Sequence, residues 1–292
     1  MLGVLKKLRD FFIHSNLFIA VAAVLLTMEA QVLLGIRPEL HPYLFLVFFA
    51  TMFEYNLHKF VAVFFYKQAL LEPKFRWISK NLKLFYFIFF ASVTGFIIAA
   101  SFAKWQVLVA LFPLGLITFL YSFPVYKKGK KIFRLREVPL AKIFIISFVW
   151  SATSIVLPAV HAGLNVSPAF LWLMITERSL FIFAITVPFD IRDMKSDNKA
   201  GLKTLPLMLG ENKAWLIAKL SIIIFTFATC IRYTLTYEWH FIPAFLISGL
   251  STLYFISDKK IRRLDNYHYG VLDGTMALQG ILVLICWWFS HL

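Results

Sequence analysis

Phe181-Ile-Phe-Ala-Ile-Thr-Val-Pro188-Phe-Asp190-Ile-Arg-Asp193-Met-Lys-Ser-Asp197 ends the apolar run Ala169–Pro188 on three carboxylates. A run of about 20 mostly apolar residues is what a helix needs to cross a bilayer. Carboxylates at a membrane boundary are costly and usually have a function. On a helix, spacings of three and seven residues put Asp190, Asp193 and Asp197 within an arc of about 60°. Three hard oxygen donors on one face suit Mg²⁺ shared with a phosphorylated substrate. Pro188 is expected to interrupt the run. A helix restarting there would place Asp190 in its first turn, where the dipole favours negative charge. Taken alone, the spacing also fits a solvated polar loop of mixed charge.

Working outward, the composition fixes the class. The 292 residues are 60% hydrophobic and 15% charged, with mean hydropathy +0.77. A soluble domain carries roughly 25% charged residues, so this is an integral, multi-pass membrane protein. The net charge is +15, from 30 Lys and Arg against 15 Asp and Glu. In a soluble chain that balance would suggest nucleic acid. Here the basic residues cluster between apolar runs, which favours anionic lipid headgroups and phosphorylated substrates. Cys230 and Cys286 fall inside apolar runs and form no CxxC, which leaves disulfide and zinc readings without support. Residues 1–12 look like a short amphipathic lead-in rather than a cleavable signal.

Nine apolar stretches predict an all-α membrane protein with nine transmembrane helices. They are Asn16–Leu34, Tyr43–Phe64, Leu84–Phe102, Gln106–Tyr121, Ile143–Val160, Ala169–Pro188, Trp215–Tyr233, Phe241–Ile256 and Val271–Phe289. Lys and Arg crowd the lead-in and the loops after the second, fourth, sixth and eighth stretches. The opposite loops hold only Arg37, Lys104 and Arg232. That alternation places the N-terminus in the cytoplasm and the C-terminus outside. With no repeat and no soluble-domain-sized loop, residues 1–292 read as a single transmembrane domain, suited to a bacterial inner (cytoplasmic) membrane.

The aspartates are followed by Gly201-Leu-Lys-Thr204-Leu-Pro206-Leu-Met-Leu-Gly210. Aspartates at this spacing, then Gly-x-x-Thr-Leu-Pro-x-x-x-Gly, resemble the second signature of the UbiA superfamily of intramembrane prenyltransferases. Tyr121-Ser122-x-Pro124 before Lys127 and Lys128 resembles that family's link between its fourth and fifth helices. The resemblance covers nearly the whole chain and implies a UbiA-like helical bundle. It implies transfer of a prenyl group from a polyprenyl diphosphate to an aromatic or lipid acceptor, with Mg²⁺ held by two facing acidic motifs. Asp190, Asp193 and Asp197 would then be catalytic and bind metal. Arg192, Lys195, Lys127 and Lys128 would neutralise the leaving diphosphate, and Tyr121 would hydrogen-bond phosphate. Lys142, at the cytoplasmic start of the fifth span, would either snorkel or reach a phosphate.

The chain departs from the family at the first motif, which normally reads Asn-Asp-x-x-Asp-x-x-x-Asp. The corresponding stretch, Thr51-Met-Phe-Glu-Tyr-Asn-Leu-His-Lys59, has no aspartate. Glu54, Asn56, His58 and Lys59 are its candidates for lining the substrate. Glu54 and His58 share a helix face, and His58 lies about 22 Å in from Tyr43, near the depth of the aspartates. A catalytically silent UbiA-like protein that binds an isoprenoid or assists a partner enzyme is therefore a second reading. A transporter is a third and weaker one, because repeated halves are missing. Glu177 and Arg178 sit mid-span and point about 100° apart, so each should find a partner on another helix. Glu29 and Asp273 read as similar structural groups. Asp273-Gly274 alone does not make a CDP-alcohol phosphotransferase signature.

Overall fold

The computed structural model describes residues 2–65, 75–122, 126–128, 131–133 and 138–292. Lys67, Lys74, Pro124, Lys130, Arg134 and Arg136 of the basic loops lie outside the described residues, and so do the side chains of His58, Lys127 and Lys128. The chain runs α1 (Leu2–His14), α2 (Leu17–Leu33), α3 (Pro42–Phe65), α4 (Arg76–Lys80), α5 (Leu82–Phe102) and α6 (Trp105–Ser122). A small antiparallel hairpin follows, β1 (Tyr126–Lys128) with β2 (Lys131–Phe133). Next come α7 (Ala141–His161), α8 (Pro168–Lys199), α9 (Leu205–Leu209), α10 (Glu211–Leu235), α11 (Ile242–Ser257), a π-helical turn Tyr267–Leu272 and α12 (Asp273–Ser290).

Every apolar stretch singled out in the sequence is helical. Among the described residues, six helices are long and apolar enough to cross a membrane. A seventh counts if α1 and α2, bent by 65°, form one broken span. Trp105–Tyr121 is apolar but shorter. The α1–α2 bend centres on Asn16, whose φ of 65° leaves the helical region. Its amide is held by Asn56 of α3, with Asn16 Nδ2 donating to Asn56 Oδ1 at 2.9 Å. Asn56 Nδ2 donates to Ser15 O and Met52 O.

One expectation is corrected. Pro188 does not interrupt the sixth stretch: α8 continues through it as one 32-residue helix. Proline is tolerated inside membrane helices because neighbouring packing re-satisfies the backbone. Here Phe181, Ile185 and Val187 around it are fully or almost fully buried. Asp190, Asp193 and Asp197 therefore lie in the last turns of a long helix. Gly201 closes it, with φ +72°. The Leu202 amide donates to Asp197 O and the Gly201 amide to Asn198 O, the paired bonds of a glycine C-cap that only a residue free of a Cβ penalty forms at no cost.

Packing brings α2 to the centre. A Cβ on Gly280 of α12 would stand 2.7 Å from the Leu25 carbonyl of α2, so this crossing is set by backbone approach. The main core joins residues of α2, α7, α8, α10, α11 and α12. Through it runs a chain of buried polar groups. Arg178 pairs with Glu29 at 2.9 Å and donates to Leu26 O and Ser154 Oγ. Gln279 donates to Glu29, and Ser248 donates to Gln279. On the other side Arg232 pairs with Glu177 at 2.9 Å and donates to Tyr233 Oη at 2.6 Å. Glu177 and Arg178 thus find partners on α10 and α2, as their angular separation requires.

Removing one member of such a pair leaves a buried charge uncompensated, at a cost of about 3–5 kcal/mol. Arg178→Met should lower the thermal unfolding midpoint of the detergent-solubilised protein by several degrees. Adding Glu29→Gln should recover most of the loss. Full stability in the single variant would show that the pair does not organise the core.

Candidate substrate and metal site

The end of α8 carries the negative end of a helix dipole as well as three carboxylates, and both attract cations. Leu140, at φ 63°, turns the chain into α7, and its amide donates to Lys203 O beyond the end of α8. That bond seats the first turn of α7 beside the aspartates and delivers Lys142. Lys142 Nζ lies 2.8 Å from Asp190 Oδ1 and 3.1 Å from Asp197 Oδ2. The two aspartates are seven residues apart, two turns on one face, so one ammonium spans both.

Asp190 is 1% exposed. The Lys142 contact is at ion-pair distance but falls outside hydrogen-bond geometry, and neither Asp190 oxygen has a hydrogen-bond partner. Asp193 turns elsewhere. Arg192 grips it with Nε and Nη2 at 2.8 and 2.9 Å. The guanidinium packs over Phe189 at 5.1 Å and Tyr269 at 5.0 Å. The three aspartates therefore share a helix end without converging on a point. Among the described residues no three His, Cys, Asp or Glu side chains are grouped to hold a metal. Mg²⁺ does not demand such a cage. It keeps waters and is held by one or two carboxylates plus substrate phosphates. Asp190, buried with unbonded oxygens, has the chemistry for that part.

Helix α3 divides its candidates. Glu54 and Tyr55 line a cavity. Asn56 and Lys59 face the other way, and Lys59 donates to His14 O and Asn16 Oδ1 across the α1–α2 bend. Groups freed by the bend have drawn them there. His58 sits on α3, with its side chain outside the description. Lys195 is exposed at the end of α8. Tyr121, at the end of α6, lies within electrostatic reach of the aspartate cluster's Lys142 and of the cavity residue Tyr55.

The cavity holds about 540 Å³ between α2, α3, α5, α6 and α7. Its walls are apolar and aromatic, among them Leu46, Phe53, Phe96, Phe119 and Trp150, and among the described residues Glu54 is the only charged one lining it. Ser154, which receives Arg178, lines it as well.

The last helix contributes residues that the sequence did not mark for the site. The π-helical turn packs on α8, with His268 Nε2 3.3 Å from Pro188 O and the Phe189 ring 5.2 Å from His268 and 5.9 Å from Tyr269. Asp273 follows, 4% exposed. The available signal was the four-residue step from Tyr269 to Asp273, one turn on one face.

This architecture recurs in solved structures. A UbiA homologue from Archaeoglobus fulgidus bound to GPP and Mg²⁺ superposes with TM-score 0.60 at 15% identity, covering 94% of this chain and 99% of that one. The same homologue bound to DMAPP and Mg²⁺ gives 0.58 at 14%, with the same coverage. A structure of digeranylgeranylglyceryl phosphate synthase gives 0.52 at 14%, covering 97% of each chain. No curated protein sequence matches significantly. The family model for UbiA prenyltransferases matches residues 78–267, from α4 through the aspartate turns to the π-helical turn. With about two thirds of its length in that match, the chain belongs to the UbiA prenyltransferase family.

Proposed function

We propose that this protein is an intramembrane prenyltransferase, a transferase of alkyl or aryl groups other than methyl, acting on a polyprenyl diphosphate and a hydrophobic acceptor. The observation that carries the reading is an apolar cavity of about 540 Å³ in the same bundle as a cluster of carboxylates and cations, buried at Asp190 and partly exposed at Arg192 and Asp193. The isoprenoid chain occupies the cavity, and the diphosphate lies at the Asp190–Lys142–Arg192 end. The relatives crystallised with GPP or DMAPP and Mg²⁺ support this assignment. Positive charge crowded into alternate loops supports a cytoplasmic position for that end, in a bacterial inner membrane.

The residues divide the work. Asp190 would hold Mg²⁺, with Asp193 and Asp197 adjacent. The chemistry the metal supplies when bound is charge neutralisation on the leaving diphosphate. Lys142 and Arg192 lend direct positive charge to phosphate oxygens. Lys127, Lys128 and Lys195 add long-range attraction. Glu54 and Tyr121 form the polar rim between headgroup and chain. The cavity walls exclude water from the allylic cation, and faces such as Phe53 and Trp150 stabilise it.

Two measurements test this reading. In purified protein reconstituted with lipid, geranylgeranyl diphosphate and Mg²⁺ should release pyrophosphate. Asp190→Asn and Asp193→Ala should each cut release by about 10²-fold or more, the scale of a lost transition-state charge contact. Equal release from the variants would remove these aspartates from the reaction. Polyprenyl diphosphate binding without any turnover would favour the silent isoprenoid-binding relative. That alternative rests on the first motif, which has no aspartate on α3, with Asn56 and Lys59 committed instead to the α1–α2 bend.

The second measurement concerns the built-in ammonium. Lys142 supplies the charge a metal would otherwise bring to Asp190 and Asp197. Lys142→Met should therefore tighten Mn²⁺ binding to the substrate-free protein by about tenfold, equivalent to ~1.4 kcal/mol. Electron paramagnetic resonance titration in detergent reads this directly. Unchanged affinity would mean that the metal binds away from these two carboxylates.

A further inference from the structure

A carboxylate buried in a membrane bundle is normally paired. Asp273 is not. It is 4% exposed and makes no hydrogen bond or ion pair with any described residue. The charge-bearing groups within electrostatic reach of it are Arg192, already gripping Asp193, and Tyr55. Glu29, Glu177 and Asp190 are equally deep but each faces a cation. Packing alone does not explain why the first turn of α12 carries an acid.

The local backbone indicates that the position is built. The six residues before Asp273 form a π-helical turn, in which an extra residue per turn re-aims the side chains; such turns are frequent at functional sites. That turn places Tyr269 against Arg192, over the diphosphate end. Asp273 lies one turn further along the same face and therefore one turn deeper than the headgroup cluster. At that level stands Tyr55, which lines the cavity with its ring 6.4 Å from Trp150. Asp273 thus lies within electrostatic reach of both Arg192 and Tyr55, the latter a residue of the cavity wall. Its depth below Asp193 and its nearness to Arg192 argue against a metal role.

We infer that Asp273 receives the acceptor, binding a hydroxyl-bearing co-substrate through its O–H. The inference rests on the prenyl-transfer reading and extends it to the acceptor. In the step, the allylic C1–O bond to diphosphate breaks and its electron pair leaves with the diphosphate. The acceptor oxygen forms the new bond to C1, and its proton passes to the Asp273 carboxylate. No oxidant or further reactant is needed.

The test is a binding comparison on the full chain in lipid nanodiscs, using 2-naphthol and its methyl ether as fluorescent probes. A second arm uses dodecanol and its methyl ether as competitors. The wild type should bind the hydroxyl form of one pair about tenfold more tightly or better, as expected for a hydrogen bond to a buried acceptor. The pair that shows the preference identifies the acceptor as phenolic or aliphatic. Asp273→Asn should abolish the preference while leaving ether affinity unchanged, and its thermal midpoint should be no lower than that of the wild type. No preference in the wild type for either pair overturns the inference. So does a preference retained in the variant, or one lost together with ether binding. Asp273→Ser is read by the same two affinities should asparagine prevent expression. Competition by geranylgeranyl diphosphate is measured separately. If the diphosphate does not bind, the prenyl reading fails while the hydroxyl comparison still stands or falls by itself.

Discussion

Inside a bilayer, helices gain little from burying apolar side chains against one another, because lipid tails are just as apolar. What fixes this bundle is therefore its buried polar chain. Arg178 draws together α2 through Glu29 and Leu26 and α7 through Ser154, while Gln279 and Ser248 extend the chain to α12 and α11. The neighbouring Glu177 captures α10 through Arg232. Two adjacent residues of α8 thus determine the arrangement of five other helices. Close approach of Gly280 to the α2 backbone is then permitted, and contacts of that kind supply the packing energy that the bilayer does not.

The same chain shapes the cavity. Ser154 accepts from Arg178 and also lines the cavity wall, so the polar core forms the inner boundary of the apolar space. Lys142, which pairs with the aspartates, lies on the same helix. Its position is twelve residues from Ser154, about 18 Å of rise. One rigid helix therefore carries both the ammonium at the aspartates and the hydroxyl at the cavity wall, and fixes the distance between them. The bent α1–α2 connection closes the bundle at the aspartate end through Asn56 and Lys59.

Helix positions were legible from the sequence because an apolar run of sufficient length has few alternatives. The glycine that closes α8 was legible too, as part of the Gly201-to-Gly210 signature. Glu177 and Arg178 could be assigned to different partners by angle alone. The sequence was silent where tertiary contacts override local signals. Pro188 is a helix breaker by its chemistry, but the buried packing around it carries α8 straight through. Asn56 and Lys59 match the register of a substrate motif, yet the unsatisfied backbone at the α1–α2 bend draws them away. Lys142 and Asp190 are 48 positions apart, and nothing local announces that they meet. Asp273 looked structural because its neighbours in sequence are apolar; only its lack of a hydrogen-bond or ion-pair partner among the described residues sets it apart.

The distribution of unsatisfied groups separates structure from site. Proteins keep local rules nearly everywhere and break them where function needs it. Away from the aspartates Arg178, Arg232, Gln279 and Ser248 all find partners, with Glu29 Oε2, Gln31 Oε1 and His161 Nδ1 the open atoms. The aspartate end has open groups of its own. Asp190 has two buried oxygens without a hydrogen bond, Asp273 has no partner among the described residues, and a π-helical turn lies beside both. Satisfying these groups within the fold would require only a few polar side chains of the kind the rest of the bundle already uses. Asp190 is compensated by the Lys142 ion pair, so it is Asp273 whose burial costs stability unless a ligand completes it. The two carboxylates differ by one helical turn in depth. In the proposed reaction they would make two distinct contacts, one at the charged head of the donor and one at the level where its chain is attacked.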